Sequence, residues 1–208
     1  MVAPLVLPIH RRYVVGKRAF DVAVCVALLP IILLVLGACA VAVRLDSPGP
    51  ILFRQLRTGR HGRRFGMYKF RTMVTNAEEL KAELQHLSIV PAPDFKIIDD
   101  PRITRVGRFL RKTSLDELPQ LLNVLIGDMS LVGPRPTSFA PSTYDLWHTE
   151  RLEVLPGITG LWQVMGRNAA TFDERLRLDI AYIDRMSFKL DLWILAQTAL
   201  AVVRRSGA

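Results

Sequence analysis

The longest run of hydrophobic positions lies near the N-terminus of this 208-residue chain. No charged residue occurs between Val22 and Val43, and a helix that crosses a bilayer needs roughly 20 such residues. Basic residues lie on both sides of the run: Arg11, Arg12, Lys17 and Arg18 precede it, and Arg44, Arg54, Arg57, Arg60, Arg63 and Arg64 follow it. The segment is therefore predicted to enter a membrane, with positive charge at both ends.

Three interpretations of this apolar run stay open. Ala38-Cys39-Ala40 resembles the cleavage site of a signal peptide, although the run is long for one. A spanning helix would put one basic flank outside, although positive charge prefers the cytoplasmic side. A re-entrant helix keeps both flanks in the cytoplasm, and Pro30 predicts its break because proline removes one helical hydrogen bond. The pattern favours the re-entrant form.

The positions after the apolar run show the periods of short strands and of helices. Two strands are predicted at 51–53 and 65–70, with a basic loop at 57–64 between them. A stiff loop is predicted at 132–136. Helical periods predict elements at 76–87, with Asn76 as N-cap, at 115–126, closed by Gly127 as C-cap, and at 172–186 and 190–203. A further short element is predicted at 103–110. The predicted fold class is α+β, a mainly helical domain with a few short strands.

The pattern also divides the chain into three parts. Residues 1–16 contain prolines and no clear period, so they are predicted to form a loose arm. Residues 17–45 form the predicted re-entrant membrane helix, and residues 46–208 form a cytoplasmic, membrane-associated domain. The last amphipathic helix carries Trp193 and ends at Arg204-Arg205, which is typical of a helix at a membrane interface.

The charge and the cysteines narrow the function classes. Lys and Arg number 28 and Asp and Glu number 19, so the formal net charge is +9. A chain this basic is expected to meet nucleic acid, an anionic membrane or a phosphorylated substrate. Cys25 and Cys39 are the only cysteines, and on one helix they would lie ~21 Å apart, too far for a disulfide. The four histidines show no metal-ligand spacing, which excludes a Cys/His zinc module.

The stretch Ser114-Leu115-Asp116-Glu117-Leu118-Pro119 has two compatible interpretations. Structurally it matches a capping box, in which Ser114 caps a helix and Glu117 reaches back. Chemically it puts adjacent carboxylates at the positive end of a helix, where a carboxylate stays ionised and phosphate is attracted. An ionised Asp116 can then attack phosphorus as a nucleophile or hold Mg²⁺.

Two glycine- and proline-rich stretches carry arginines. In Gly133-Pro134-Arg135-Pro136 two prolines stiffen the backbone around Arg135, which suits phosphate binding; a solvated surface turn is the alternative. Residues 156–164 precede Gly166-Arg167-Asn168, where Arg167 can reach a second phosphate and Trp162 can line a base or an interface. A turn around a core tryptophan is the alternative there. The sequence contains neither a Walker lysine motif nor a dinucleotide glycine fingerprint.

Seven stretches together resemble one family, the bacterial sugar transferases, which are monotopic polyprenyl-phosphate phosphoglycosyl transferases. Each stretch is modest alone, and the series is highly specific. They follow the family order from Lys17 almost to the C-terminus: Lys17-Arg18-Ala19-Phe20-Asp21, Asp46-Ser47-Pro48-Gly49-Pro50, Tyr68-Lys69-Phe70-Arg71-Thr72-Met73, Ser114 to Leu118, Asn123 to Pro136, Pro156 to Val164 and Gly166-Arg167-Asn168.

The resemblance implies a re-entrant membrane helix and a catalytic domain on the cytoplasmic face of the bacterial inner membrane. It implies transfer of a sugar-1-phosphate from a UDP-sugar to undecaprenyl phosphate, with UMP release and with Mg²⁺ as cofactor. This step begins an exopolysaccharide, capsule or O-antigen repeat. Membrane lipid is an expected contact, a homodimer is compatible with the family, and no nucleic-acid partner is expected. Resemblance to hexose-1-phosphate members over 95–105 favours glucose or galactose.

The resemblance also implies roles for individual residues. Asp116 matches the nucleophilic aspartate of an Asp-Glu dyad, would hold the phosphosugar covalently, and also matches the Mg²⁺ contact. Glu117 matches the second carboxylate of the dyad. The expected substrate and phosphate contacts are Lys69, Arg111, Arg135 and Arg167. Three arginines and a divalent cation would balance the charge of a diphosphate donor and a lipid phosphate.

One departure from the family concerns the membrane helix. The family commonly breaks this helix at a Ser-Pro pair, whereas this chain has Leu29-Pro30, about one turn earlier relative to Asp21. Leu29 has no hydroxyl to satisfy a freed carbonyl, so the position of the break is open and a spanning topology stays an alternative. Because the chain begins close to the first motif, we expect a minimal or truncated family member.

Two non-enzymatic alternatives explain part of the sequence. A membrane-tethered nucleic-acid binder accounts for the net charge and the basic loop, and it predicts strongly salt-sensitive DNA binding. It does not explain why Asp116-Glu117 and the arginine-bearing turns occur together. A membrane-surface scaffold accounts for the amphipathic helices and predicts no substrate turnover.

Overall fold

The computed structural model describes residues 11–89, 95, 97–139, 146–165 and 171–204. Over these residues the fold is α+β, with a long apolar N-terminal helix, four short strands and a majority of helix. In chain order the elements are α1 (Arg11–Asp46), β1 (Leu52–Thr58), β2 (Arg64–Phe70), α2 (Ala77–Glu83), α3 (Arg105–Thr113), α4 (Gln120–Ile126), β3 (Ser130–Val132), β4 (Gly157–Thr159), α5 (Leu161–Met165), α6 (Phe172–Asp184) and α7 (Phe188–Val203).

The hydrophobic helix α1 is continuous over 36 residues and carries Pro30 within it. Within the part of the chain that the structure describes, it is the one helix long and apolar enough to cross a membrane. The helix continues through Pro30, so the predicted break is not seen as an end of the helix. The topology of the helix stays a prediction.

The first turns of α1 correct the prediction of a loose arm over residues 1–16. Residues 11–16 are already helical, while residues 1–10 lie outside the described residues. The reason is a buried contact with α7, because Tyr13 Oη and Lys17 Nζ both donate to Asp191 Oδ2 at 2.7 Å. Tyr182 Oη on α6 donates to Asp191 Oδ1, also at 2.7 Å. We call this group of four side chains the Asp191 anchor.

Strands β1 and β2 form the predicted antiparallel hairpin, with Leu52 paired to Phe70 and Thr58 to Arg64. Strand β1 is longer than predicted and includes Arg57, so the basic loop shrinks to a short turn at Arg60–Gly62. Strand β2 turns Phe65 and Met67 into the core, whereas Phe53 and Leu56 of β1 are exposed. The hairpin therefore has one packed strand and one open apolar edge.

A second sheet of two parallel strands was not predicted. Ser130 of β3 pairs with Gly157 of β4, and Val132 pairs with Thr159. The stiff loop predicted at 132–136 is therefore shorter than predicted, because residue 132 belongs to β3. Gly157 is required by the close pairing, since a Cβ on it would lie 2.1 Å from the Gly133 nitrogen.

Two predicted helices are divided in the structure. Residues 76–87 form α2 and then a separate 3₁₀ turn at Gln85–Leu87, and the Asn76 side chain caps neither. Residues 115–126 form a 3₁₀ turn at Leu115–Glu117 and then α4. Gly127 ends α4 with φ 99°, as predicted for a C-cap glycine. The predicted helices at 172–186 and 190–203 are confirmed within a few residues as α6 and α7.

Two apolar clusters join α1 to the rest of the domain. The larger cluster contains Cys25 of α1 with Met67, Val124 and Tyr182. The smaller cluster contains Cys39 and Val43 of α1 with residues such as Phe70 and Leu110. Both halves of α1 therefore pack on the same domain, one on each side of Pro30.

Candidate active site

The acidic pair lies in the turn between α3 and α4. Helix α3 ends at Ser114, which adopts a left-handed conformation with φ 57°. Asp116 and Glu117 follow in the 3₁₀ turn, and Pro119 begins the approach to α4. The predicted capping box is wrong because the Ser114 side chain caps no helix and the Glu117 carboxylate points to cations instead.

Glu117 is held by two cations from different elements. Lys69 Nζ, from β2, lies 3.0 Å from Glu117 Oε1. Arg135 donates Nη1 to Oε2 at 3.2 Å and Nη2 to Oε1, a two-pronged contact. Burial alone would raise the pKa of Glu117, but the charges and hydrogen bonds of Arg135 and Lys69 outweigh it and lower that pKa well below its ordinary value. Glu117 therefore stays ionised and orients both cations.

Asp116, unlike Glu117, is not held by a cation within the ranges that the structure describes. Its carboxylate is half-buried and has no hydrogen bond or ion pair among the described residues. Burial, followed by the charge of Glu117, raises the pKa of Asp116, while Lys69, Arg111 and Arg135 oppose the rise. The structure thus leaves one carboxylate open beside several cations, an arrangement available to an incoming ligand.

Arg111 approaches the acidic pair from the last turn of α3. Its Nε donates to Thr72 Oγ1 at 2.9 Å. Burial lowers the pKa of Arg111, and the negative charge of Asp116 opposes that shift. Thr72 is itself fixed, because its carbonyl accepts from Thr104 N at 3.1 Å. Gly107 permits this packing, since a Cβ there would lie 2.1 Å from the Thr72 oxygen.

Arg135 is positioned by a pair that the sequence did not reveal. Arg151 donates to the Arg135 carbonyl oxygen and to Asp179 Oδ2 through the same Nη2 atom. Both Arg151 and Asp179 are almost fully buried. Neither residue belongs to a motif, and their pairing across 28 positions leaves no local signal in the sequence. The stiff-turn hypothesis for Arg135 therefore gains a second support, a buried arginine behind its backbone.

The structure brings together five of the six predicted catalytic and phosphate-binding residues: Lys69, Arg111, Asp116, Glu117 and Arg135. Arg167 lies outside the described residues. Pro30 belongs to α1 and takes no part in this cluster. Three cations face two carboxylates, so the cluster has an excess of positive charge that favours an anion such as phosphate.

The fit of the predicted Mg²⁺ can be judged from the donor set. No group of three or more His, Cys, Asp or Glu side chains that could hold a metal occurs among the described residues. Mg²⁺ is usually bound by one or two carboxylates together with substrate phosphates rather than by a full protein cage. Because Asp116 is open and Glu117 is engaged, the residues present fit a Mg²⁺ that shares its ligands with a substrate.

The fold combines an α+β domain with one helix that is long and apolar enough to cross a membrane, and its carboxylate pair lies among three cations that favour an anionic ligand. These features are typical of a membrane-associated protein that binds anions. Comparison with known proteins gives the family. The family model described as "Bacterial sugar transferase" matches residues 12–205. The chain belongs to the bacterial sugar transferase family, as the motif series predicted.

Three relatives show how similar the chain is to curated members. It is 44% identical over 202 residues to a galactosyl transferase of Streptococcus agalactiae, covering 94% of this chain and 44% of that protein. It is 47% identical over 197 residues to the undecaprenyl-phosphate galactose phosphotransferase of Salmonella typhimurium, covering 92% and 41%. It is 42% identical over 205 residues to the undecaprenyl-phosphate glucose phosphotransferase of Komagataeibacter xylinus, covering 92% and 36%. The chain thus spans less than half the length of these three relatives.

Proposed function

We propose that the chain transfers a hexose 1-phosphate from a UDP-sugar to undecaprenyl phosphate and releases UMP. The observation that carries the proposal is the unequal pair of carboxylates. Glu117 is fixed between Lys69 and Arg135, whereas Asp116 has no hydrogen-bond partner among the described residues and lies beside the same cations. An open carboxylate in a cationic site is suited to attack a phosphorus atom.

The proposed chemistry proceeds in two displacements at one phosphorus. In the first, an oxygen of Asp116 bonds to the phosphorus that carries the sugar, and the bond from that phosphorus to the UMP oxygen breaks. UMP leaves with the electron pair, and the sugar phosphate stays on Asp116. In the second, a phosphate oxygen of the lipid attacks the same phosphorus and the Asp116 carboxylate is restored. Lys69, Arg111 and Arg135 would neutralise the charge on the phosphate oxygens.

The cofactor and the sugar are proposed on separate grounds. Asp116 would contribute a carboxylate to Mg²⁺, which supplies additional neutralisation of the donor diphosphate. The sugar is proposed to be galactose or glucose, because relatives that match most of the chain are named for these two hexoses. The reaction is further proposed to begin an exopolysaccharide, capsule or O-antigen repeat, as the motif series implies.

The helix α1 is proposed to be re-entrant, with the domain on the cytoplasmic face of the inner membrane, and the packing of α1 supports the re-entrant form. Cys25 and Cys39 are both buried against the same domain, and they lie ~21 Å apart along an α-helix. A hydrocarbon layer is about 30 Å thick, so a helix that crossed it would carry one of these packed segments into the lipid. The exposed apolar residues between them, Ile31 and Leu34 among others, would dip into one leaflet.

Cysteine labelling tests this topology. Arg12 and Arg60 are exposed, on opposite sides of the apolar run, while the native Cys25 and Cys39 are buried. With Arg12→Cys and Arg60→Cys in separate chains, an impermeant maleimide should label neither in intact spheroplasts and both after permeabilisation. Labelling of Arg12→Cys in intact spheroplasts would show that α1 spans the membrane.

Turnover tests the proposed reaction. The full chain in detergent would receive undecaprenyl phosphate, Mg²⁺ and one UDP-sugar at a time, and free UMP would be measured. We expect UMP release with UDP-galactose or UDP-glucose, loss of release in Asp116→Asn, and normal release in the matched control Asp184→Asn, whose side chain is exposed at the end of α6. Failure with every UDP-sugar, or equal release by Asp116→Asn, would contradict the proposal.

A further inference from the structure

A cavity lies next to the candidate active site, behind the turn that carries Arg135. This cavity has a volume of about 150 Å³ and is enclosed by β1, the segment 135–139, α5 and α6. Residues that line it include Arg57, Arg135, Trp162, Phe172, Arg175 and Asp179. Arg135 belongs to both sites, because its guanidinium contacts Glu117 while the residue also forms a wall of the cavity. A ligand that fills the cavity therefore meets the active site at Arg135.

The lining combines aromatic rings with arginines. The Arg175 guanidinium carbon lies 5.6 Å from the Trp162 ring centroid and 5.8 Å from that of Phe172. Phe139, which also lines the cavity, packs edge-on against Phe172 with centroids 5.4 Å apart. Aromatic faces and arginine planes stack on nucleobases, and arginines bind phosphate. These two chemistries together are what a nucleotide requires.

A buried acceptor in the wall adds a more specific signal. Asp179 is 1% exposed, and its Oδ2 receives Arg151 Nη2 at 2.5 Å. Its other oxygen, Oδ1, is buried and receives no hydrogen bond within the described part of the chain. Burial raises the pKa of Asp179 to about 6, with the charge of Arg151 opposing the shift, so the group is largely ionised at neutral pH. An ionised oxygen without a donor is costly unless a ligand supplies one.

We propose that this cavity holds the uracil end of the UDP-sugar, with Asp179 accepting the uracil N3–H. The proposal rests on the proposed function and extends it to the nucleotide of the donor. Uracil presents one N–H donor between two carbonyl acceptors, which matches a carboxylate surrounded by arginines. From there the diphosphate passes Arg135 and reaches Asp116.

The size of the cavity agrees with this assignment. Sites that enclose a drug-sized ligand measure roughly 300–1,000 Å³, so about 150 Å³ accommodates only part of a donor. The base fits the enclosed part, and the charged remainder extends toward Lys69, Arg111 and Arg135. Cytosine has an acceptor at N3 in place of the donor, and its lone pair would face the Asp179 carboxylate. The cavity therefore predicts discrimination between the two pyrimidines.

Binding of UMP and CMP to the full chain in detergent tests the proposal without turnover. Isothermal titration should show that UMP binds about 10-fold or more tightly than CMP, as base-edge hydrogen bonds usually discriminate. Asp179→Asn should weaken UMP and leave or improve CMP, because an amide can donate to cytosine N3. Equal weakening of both nucleotides would show that Asp179 only positions Arg151 and would overturn the assignment.

Two further variants keep the test decisive if Asp179→Asn does not fold. Trp162→Ala should weaken UMP about 5-fold or more through lost stacking, and Arg175→Gln should also weaken it. The control Trp193→Ala, exposed on α7, should bind UMP like the parent chain. Unchanged UMP affinity in both cavity variants would overturn the proposal. Asp116→Asn should bind UMP normally while turnover is lost, so failure of the reaction and failure of the cavity assignment give different results.

Discussion

The Asp191 anchor and the acidic pair of the candidate active site are two clusters of charged side chains whose carboxylates are used in opposite ways. Asp191 is 2% exposed, and its two oxygens accept hydrogen bonds from Tyr13, Lys17 and Tyr182. Asp116 is half-buried and accepts none from the described residues. The filled carboxylate joins α1 to α6 and α7. The open carboxylate joins no described elements through a hydrogen bond, which leaves it available to a substrate.

Glu117 combines features of Asp191 and Asp116. It belongs to the active site, yet both of its oxygens are occupied, as those of Asp191 are. Glu117 therefore acts as a local anchor for Lys69 and Arg135. The comparison predicts that the same isosteric substitution, Asp to Asn, has different consequences at the two sites.

The largest effect is expected for Asp116→Asn. Loss of the nucleophile should reduce kcat by at least about 10⁴-fold, or roughly 5.4 kcal/mol. The thermal unfolding midpoint should stay the same or rise, because the variant removes a negative charge beside Glu117 without breaking a hydrogen bond. Turnover assays and thermal unfolding in the same detergent check both parts. A large loss of stability would show that Asp116 is structural.

Asp191→Asn should show the reverse. The substitution leaves Lys17, whose side chain is only 13% exposed, without its carboxylate, and breaking a largely buried pair in this way costs roughly 3–5 kcal/mol. Denaturant unfolding should reveal this loss, while kcat of the molecules that remain folded should change less than about 3-fold. Loss of kcat without loss of stability would contradict the assignment of Asp191 as an anchor.

Arg135→Lys should have an intermediate effect on activity. Lysine keeps the charge but cannot make the two-pronged contact with Glu117 or present a fork to phosphate. We expect kcat/KM for the UDP-sugar to fall about 10- to 100-fold. Arg54→Lys, on the exposed face of β1, is the matched control. A change within 2-fold at Arg135 would mean that its fork geometry plays no part.

The smallest effect is expected in the pH profile of Glu117→Gln. The negative charge of Glu117 helps to raise the pKa of Asp116, and a raised pKa protonates the nucleophile at higher pH. Removing that charge should therefore move the acidic limb of log kcat/KM toward lower pH, whatever the loss in rate at the plateau. Profiles of the parent chain and the variant between pH 4 and 8 measure the shift. A shift toward higher pH would contradict the coupling of the two carboxylates.

The parts of the fold that sequence predicted are those set by local signals. The hairpin follows from two apolar runs around a basic turn, and the end of α4 follows from Gly127. The parallel pair β3 and β4 was missed, because each strand has only three residues and its partner lies 27 positions away. Local patterns also failed at Ser114, where the cations that engage Glu117 override the capping box.

The residues of the candidate site also fall into those that the sequence predicted and those that only the structure revealed. Arg111, Asp116 and Glu117 are neighbours in sequence, and the motif series added Lys69 and Arg135 from distant segments. Arg151 and Asp179 support the site from outside the motifs, because Arg151 donates both to the Arg135 carbonyl oxygen and to Asp179. Such support depends on packing between elements, and the sequence near these residues carries no pattern that reveals it.

The site of covalent attachment tests the proposed mechanism most directly. The full chain would be mixed with Mg²⁺ and the UDP-sugar that supports turnover, without undecaprenyl phosphate, then quenched and digested for mass spectrometry. A covalent mechanism through Asp116 predicts a peptide that contains residues 116 and 117 and carries one sugar phosphate on Asp116. It also predicts that Glu117→Gln retains the adduct and that Asp116→Asn lacks it. Attachment at Glu117, or turnover without any adduct in a rapidly quenched reaction, would contradict it.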